Sequence, residues 1–172
     1  MPEAKPTLPD RSEGAETVPL PLSSYDLADI WIPDGTGRFY ELQSQALQRI
    51  TGSEQLDGSQ AIAALSPDEA GVGIGAAQKK LKRLREESRL LALPLQEGGY
   101  RYPSFQFDRD NSCLYGVAEE VNSLLRAARD PWWVASWWLT KNGRTDGLQP
   151  ADLIGGGRDE ALLSAARSAL NR

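Results

Sequence analysis

At 172 residues, with 40% hydrophobic and 25% charged side chains, the chain has the make-up of a soluble globular protein of one ordinary domain or two small ones. A formal charge of −5 excludes a surface that binds nucleic acid all round, although a local basic patch remains compatible with it. Histidine is absent and Cys113 is the lone cysteine, which removes Ser-His and Cys-His nucleophile pairs, the usual zinc sites and any internal disulfide.

The acidic residues show no telling pairing, so no catalytic group, metal or cofactor is expected and the chain is read as a non-enzyme. No apolar run approaches the ~20 residues of a membrane span. The first residues lack a basic region followed by an apolar one, and a single cysteine fits a reducing compartment, so a cytoplasmic protein without a secretory signal is expected.

Residues 1–24 hold five of the eleven prolines (Pro2, Pro6, Pro9, Pro19, Pro21), separated largely by polar residues. Such a stretch cannot bury enough apolar area to offset its ordering entropy, which predicts a disordered tail that the fold can lose. Trp31 and Ile32 end that character, and 25–55 reads as an N-terminal helical segment. Within it Leu42, Ala46, Leu47 and Ile50 recur at helical spacing between Phe39 and Ile50, with a stop near Gly52. Ala61 to Leu65 is a short apolar piece leading into Ser66-Pro67-Asp68-Glu69, where serine, proline at the first helical position and glutamate three residues after the serine make a capping box. Gly71, Gly73 and Gly75 keep that helix brief.

Ala76 to Ser88 is the next predicted helix, with Ala77, Leu81 and Leu84 on its buried side. Leu90 to Leu95 reads as a strand, Gln96 to Gly99 as a turn and Tyr100 to Phe107 as the return strand. Tyr100 and Tyr102 share one face of that strand whereas Phe105 and Phe107 share the other, so a bulge or an edge position is expected at Pro103. Short helix, glycine turn, second helix and hairpin predict a winged helix-turn-helix-like domain over 56–110.

The remainder, 112–172, reads as a small helical domain. Val117, Val121, Leu124, Leu125 and Ala128 follow helical spacing, and Asp130 can cap a helix that starts at Pro131 and ends at Asn142-Gly143. Arg158 to Leu170 forms a last helix with Leu162, Ala166, Ala169 and Leu170 inward. The expected fold class is mainly α with a small β-hairpin: a winged helix-turn-helix-like N-terminal domain followed by a small helical domain.

Three stretches carry functional weight. In Lys79-Lys80-Leu81-Lys82-Arg83-Leu84-Arg85, burial of Leu81 and Leu84 sends Gln78, Lys79, Lys82 and Arg83 to the opposite face, as a DNA-recognition helix requires; Arg101 on the wing strand would add a backbone contact. The plainer alternative is a solvated helix stitched by Lys82–Glu86 and Arg83–Glu87 pairs. Four tryptophans, Trp132, Trp133, Trp137 and Trp138, cannot all be buried in a domain of about sixty residues, so at least one is expected at a surface, with Trp132 the hardest to bury. The alternative is that they only pad a small core. In Leu148-Gln-Pro150-Ala-Asp-Leu153-Ile154, Pro150 would open a helical turn that presents Leu153 and Ile154, and Gly155 to Gly157 free the backbone after it. Gly71-Val-Gly73-Ile-Gly75 imitates a dinucleotide loop, but a capped turn rather than a strand precedes it, so the cofactor reading is rejected.

The segment Tyr100-Arg-Tyr-Pro-Ser-Phe-Gln-Phe-Asp108, then Trp138-Leu139, then Leu148 to Ile154 resemble, in that order, the toxin-binding half of bacterial antitoxins of the Xre/MbcA/ParS type. The likeness covers about Leu90 to Arg172. It departs from the family in two places: Thr145-Asp146-Gly147 stands where members often carry a glycine pair, and the N-terminal part differs from the Xre helix-turn-helix. The resemblance implies the antitoxin of a type II toxin–antitoxin pair, whose toxin-binding domain at 112–172 covers the active-site entrance of a RES-domain toxin that degrades NAD. It also implies a homodimer or a hetero-oligomer with the toxin, and repression of its own operon through operator DNA.

Toxin contacts are then expected at Trp132, Trp133, Trp137, Leu148, Pro150, Leu153, Ile154 and Arg172. A stand-alone winged-helix DNA-binding regulator, and an immunity or adaptor protein without DNA contact, are the alternatives.

Overall fold

The computed structural model describes residues 37–67, 74–96 and 98–170, with side chains from Gln45 onward and excepting Ile74. The expected tail at 1–24, the Trp31-Ile32 boundary, the Leu42 position, Asp68-Glu69 with Gly71 and Gly73, and Arg172 lie outside the described residues or side chains. Helices α1 (Gly37–Gly52), α2 (Gly58–Leu65), α3 (Ile74–Glu86), α4 (Gly116–Leu124), α5 (Pro131–Leu139) and α6 (Asp159–Ala169) dominate. Strands β1 (Gln55–Leu56), β2 (Leu93–Pro94), β3 (Tyr100–Pro103), β4 (Phe107–Asp108) and β5 (Cys113–Leu114) form small antiparallel sheets, so the protein is mainly helical with a minor β component.

The Ala61–Leu65 piece is itself helical. A capping box opens α2: the Asp57 carboxylate accepts from the Gln60 amide N–H at 2.8 Å, and the Gln60 side chain accepts from the Asp57 N–H at 2.9 Å. Ser66 closes this helix, its N–H donating to the Ile62 carbonyl at 2.9 Å. In α3, Ala77, Leu81 and Leu84 are buried as their spacing predicts. That helix ends two residues before the expected Ser88, which takes a left-handed φ of 60° while the N–H groups of Arg89 and Leu90 both reach the Leu84 carbonyl.

Strand order in the larger sheet is β1-β3-β2, with Leu56 opposite Tyr102 and Leu93 opposite Arg101. β3 is therefore central in the sheet, but β2 reaches only Arg101 and Tyr100, so Pro103, at the end of the strand, is paired on one side alone, with Gln55. The chain then makes a 3-10 turn over Ser104–Gln106 before resuming as β4 against β5. That turn rotates the chain, so Phe105 and Phe107, expected on one face, enter different cores.

One core joins Leu56, Leu65, Leu81, Leu84, Phe107 and Leu114; the other joins Val117, Val121, Val134, Trp138, Leu162 and Ala166. Leu90 and Ala92 face the first while Leu91 and Leu93 face the second, a two-residue alternation with both faces buried. Ile50 of α1 also joins the second core, with α1 lying against α5. Packing thus runs across the division expected near 110–112.

Three further boundaries differ from expectation. α4 stops at Leu124, and Arg126 turns left-handed at φ 58°, so Ala127 goes inward and Ala128 is exposed. α5 begins as expected, Asp130 accepting from the Trp133 N–H at 3.1 Å, but it ends at Leu139. Asn142 does not terminate it and instead caps a 3-10 turn over Gly143–Thr145. In α6, Leu162 and Ala166 are buried, whereas Leu170, just past the helix end, is 49% exposed.

A buried amide network holds the two cores together. Gln106, fully buried, accepts the Leu91 N–H at 2.9 Å and the Asn122 side-chain amide at 3.1 Å, and donates to the carbonyls of Leu91 and Pro103 at 2.9 and 3.1 Å. Asn122 in turn accepts the Trp138 indole N–H at 2.9 Å. Gln106→Leu keeps the bulk but leaves several buried groups unpartnered, at about 1–3 kcal/mol each. A loss of roughly 3 kcal/mol, seen as a melting temperature lowered by ~6–12 °C, is the expected outcome. A change below about 2 °C in a thermal melt would show that water replaces the glutamine without penalty.

Candidate functional site

The apolar helix α5 offers more aromatic surface than one core can absorb. Trp138 is fully buried, its indole bonded to Asn122, with Phe105 tilted at 5.1 Å and Trp137 edge-on at 5.1 Å between ring centroids. Val134 and Ala135 are buried beside it. Trp132 and Trp137 are half-buried against the same core, and both bury an indole N–H with no acceptor among the described residues. Trp133 is 41% exposed. The surface tryptophan is therefore Trp133, and the expectation that Trp132 is hardest to bury is corrected: α5 rotates Trp132 onto the core.

Trp133 and Trp137 line a groove of about 590 Å³ with Lys141 and Arg144, and Ala165 and Ala169 of α6 close its other side. Lys141 and Arg144 are exposed and have no ion-pair partner among the described residues, and no carboxylate lines the groove. Backbone turns shape this loop. The single proton of the buried Thr145 hydroxyl is shared between the carbonyls of Leu148 and Asn142, at 2.7 and 2.9 Å, and the Asn142 N–H donates to Leu148 O at 3.1 Å. Closing so short a loop needs positive φ at Asp146 (56°) and Gly147 (75°), which their short or absent side chains tolerate. The Arg158 guanidinium bonds Asp146 from outside and so holds that carboxylate. Lys141 and Arg144 do not stand out in the sequence; the only signal there is two lone cations flanking the Asn142-Gly143 turn.

Of the other expected partner contacts, Leu148 is 43% exposed but does not line the groove. Pro150 and Leu153 are buried and Ile154 is half-buried against the core. The Pro150–Leu153 segment is a 3-10 turn that anchors Leu153 inward rather than presenting it, because Leu153 completes the apolar core above α5. Offering it to another protein would mean opening that core.

On α3, Gln78, Lys79, Lys82 and Arg83 are all exposed on one side. Lys82–Glu86 at 3.7 Å and Arg83–Glu87 at 3.9 Å are formed, both largely exposed and hence weak. Lys79 has no ion-pair partner among the described residues. A shallow cleft between α2 and α3 brings Gln78 and Lys82 together with Ser59 and Ile62; Arg101, exposed on β3, lies outside it. Arg85 turns back instead, its guanidinium 3.9 Å over the Tyr100 ring. Burial pushes the Tyr102 phenol above its usual range, opposed by a hydrogen bond from Arg85. Arg89 ties the end of this unit to α4, and its hydrogen bond to Glu119 at 2.7 Å raises the guanidinium's proton affinity further.

Among the described residues no group of three or more Cys, Asp or Glu is placed to hold a metal, and no helix is long and apolar enough to cross a membrane. Comparison with protein-family models, with curated proteins and with solved structures finds no match for this chain.

Two tryptophan variants separate surface from core. Trp133→Ala should leave the melting temperature within about 2 °C, since exposed substitutions mostly stay within about ±0.5 kcal/mol. Trp138→Phe strands the Asn122 carbonyl in the core and should cost about 1–3 kcal/mol in chemical denaturation. Equal destabilisation by the two would mean that Trp133 is packed.

Proposed function

We propose that this chain is the antitoxin of a type II toxin–antitoxin pair: a non-catalytic protein whose part at 112–172 binds and neutralises a cognate toxin, while a winged-helix part at 56–110 binds operator DNA. The observation that carries the toxin-binding half is the α5 groove, where a solvent-exposed tryptophan stands on a well-packed support beside two cations without an ion-pair partner among the described residues. Exposed tryptophan and arginine are the side chains that most often dominate binding at protein interfaces. The ordered resemblance of Tyr100 to Ile154 to the Xre/MbcA/ParS antitoxins supports the same reading and points to a RES-domain, NAD-degrading enzyme in the cytoplasm as the partner. Inhibition on this reading is steric: the antitoxin covers the toxin's substrate entrance and supplies no chemistry. Trp133 and Trp137 are the contacts it favours, and Leu148, exposed outside the groove, is a further one; Pro150 and Leu153 act by holding α5 in place.

A second reading, the stand-alone DNA-binding regulator, draws on a specific observation. The succession α1-β1-α2-α3-β2-β3 with strand order β1-β3-β2 supports that reading: on it α3 would be the recognition helix and β2–β3 the wing.

Co-expression with a toxic enzyme encoded beside this gene decides between them. Rescue of growth with formation of a stable complex is expected. Continued toxicity without a complex removes the antitoxin and leaves the regulator. Independently, Lys79→Ala, Lys82→Ala and Arg83→Ala together should weaken operator binding and lower its salt slope by about three, one for each phosphate left without its cation. Toxin neutralisation should be unaffected. Operator binding that survives the triple change with the same salt slope would make this face the ordinary solvated surface of a helix.

A further inference from the structure

We propose that the α5 groove receives an acidic segment of the partner protein, with a carboxylate held by Lys141 and Arg144 and an adjoining aliphatic or aromatic side chain laid against Trp133 and Trp137. This deepens the toxin-binding reading by naming the chemistry of the occupant, and it rests on that reading only for the partner's identity. Charge complementarity carries it. The chain as a whole has a formal charge of −5, yet the groove lining contributes two cations, Lys141 and Arg144, and, among the described residues, no acidic side chain.

The nearby carboxylates pair elsewhere: Asp146 is bonded to Arg158, and Glu160 on α6 is paired with Arg167 at 3.6 Å, so neither is paired with Lys141 or Arg144. Lys141 and Arg144 are thus left without an internal counter-charge among the described residues, and a carboxylate is the group whose planar oxygens an arginine fork matches.

The apolar half of the occupant follows from the indoles. Trp133 is 41% exposed in an otherwise folded setting, and a tryptophan face gains most by covering with an apolar side chain. Nucleic acid fits less well: a phosphate backbone needs a track of cations, and two on an acidic molecule do not make one. The Ser136 hydroxyl on the same lining suits the backbone of a bound segment, whereas the Ser168 hydroxyl is already donated to the Ser164 carbonyl.

The experiment uses the full chain, isotope-labelled, with its indole N–H resonances assigned through Trp133→Phe and Trp137→Phe. Three blocked decapeptides serve as probes: alternating glutamate and leucine, the same with glutamine for glutamate, and the same with lysine for glutamate. The glutamate peptide should shift the Trp133 and Trp137 indole signals, and Lys141→Glu with Arg144→Glu should reduce its affinity at least about tenfold, as expected for two charge-assisted contacts. The pair Lys141→Gln with Arg144→Gln repeats the test without introducing negative charge, and thermal melts of both pairs confirm folding.

Equal binding of the glutamine or lysine peptide overturns the proposal, as does displacement by a ten-nucleotide single strand. A concentration-dependent dimer in sedimentation velocity that the double variants abolish would assign the groove to a second copy instead, and also overturns it. Against the toxin, a complex that both double variants leave at full affinity refutes the acidic occupant. Peptide binding that obeys the charge pattern while no neighbouring toxin is bound upholds the groove and removes the antitoxin reading alone.

Discussion

The side-chain amide of Gln106 is the contact on which the arrangement of the whole molecule depends. The stretch Leu90–Leu93 buries alternate side chains in two different cores, so its backbone cannot turn to water. β2 is only two residues long and pairs with β3 from Leu93 onward, which leaves the Leu91 N–H and carbonyl without a ladder partner. Gln106 takes that place, accepting from one and donating to the other at 2.9 Å each, as a neighbouring strand would. Its remaining capacity goes to Pro103 and Asn122, and through Asn122 to Trp138. A single amide therefore sets the position of β3's end, α4 and α5 relative to the linker that separates the cores. Because every member of such a chain is buried, a half-satisfied version costs more than an apolar core would, and the geometry is correspondingly narrow.

From that constraint follows the uneven fate of the tryptophans. Asn122 has one side-chain carbonyl, and Trp138 takes it. Trp132 and Trp137 flank the same core but bury their indole N–H groups without an acceptor among the described residues. Trp133, on the remaining face, stays in solvent. The apolar surface that the fold cannot absorb thus collects on one side of α5, next to a loop whose tight closure by Thr145 turns Lys141 and Arg144 outward. The candidate interface is a consequence of core packing rather than a separate addition to it.

How much of this was legible in the sequence follows the range of the interactions concerned. Asp130-Pro131 marked the start of α5, and the spacing of Ala77, Leu81 and Leu84 marked the buried side of α3, because caps and helical periodicity act within a few residues. The same kind of signal was present in Asp57 and Gln60 and is as local, although Ser66 and Glu69 read more loudly. The basic face of α3 was likewise visible, since burying one side of a helix determines the other.

Other features depended on partners distant in the chain. Nothing near Leu90–Leu93 reveals that its two faces serve different cores, nor that a glutamine fifteen residues on completes its hydrogen bonds. The separation of Phe105 from Phe107 required the 3-10 turn after Pro103, and the choice of Ala127 over Ala128 required the left-handed Arg126. Two pairs of tryptophans, Trp132-Trp133 and Trp137-Trp138, announced a surplus of aromatic area without saying which ring would be left outside. That was decided by the way α5 packs against α1 and the Pro150–Leu153 turn, where Trp138 alone reaches Asn122 of α4. The sequence by itself determined the helices, the capped starts of α2 and α5 and the excess of indole surface, because those are properties of short stretches of chain. Only the tertiary structure decided which indole and which cations face the solvent together, because burial is settled by contacts between segments that the chain order keeps apart.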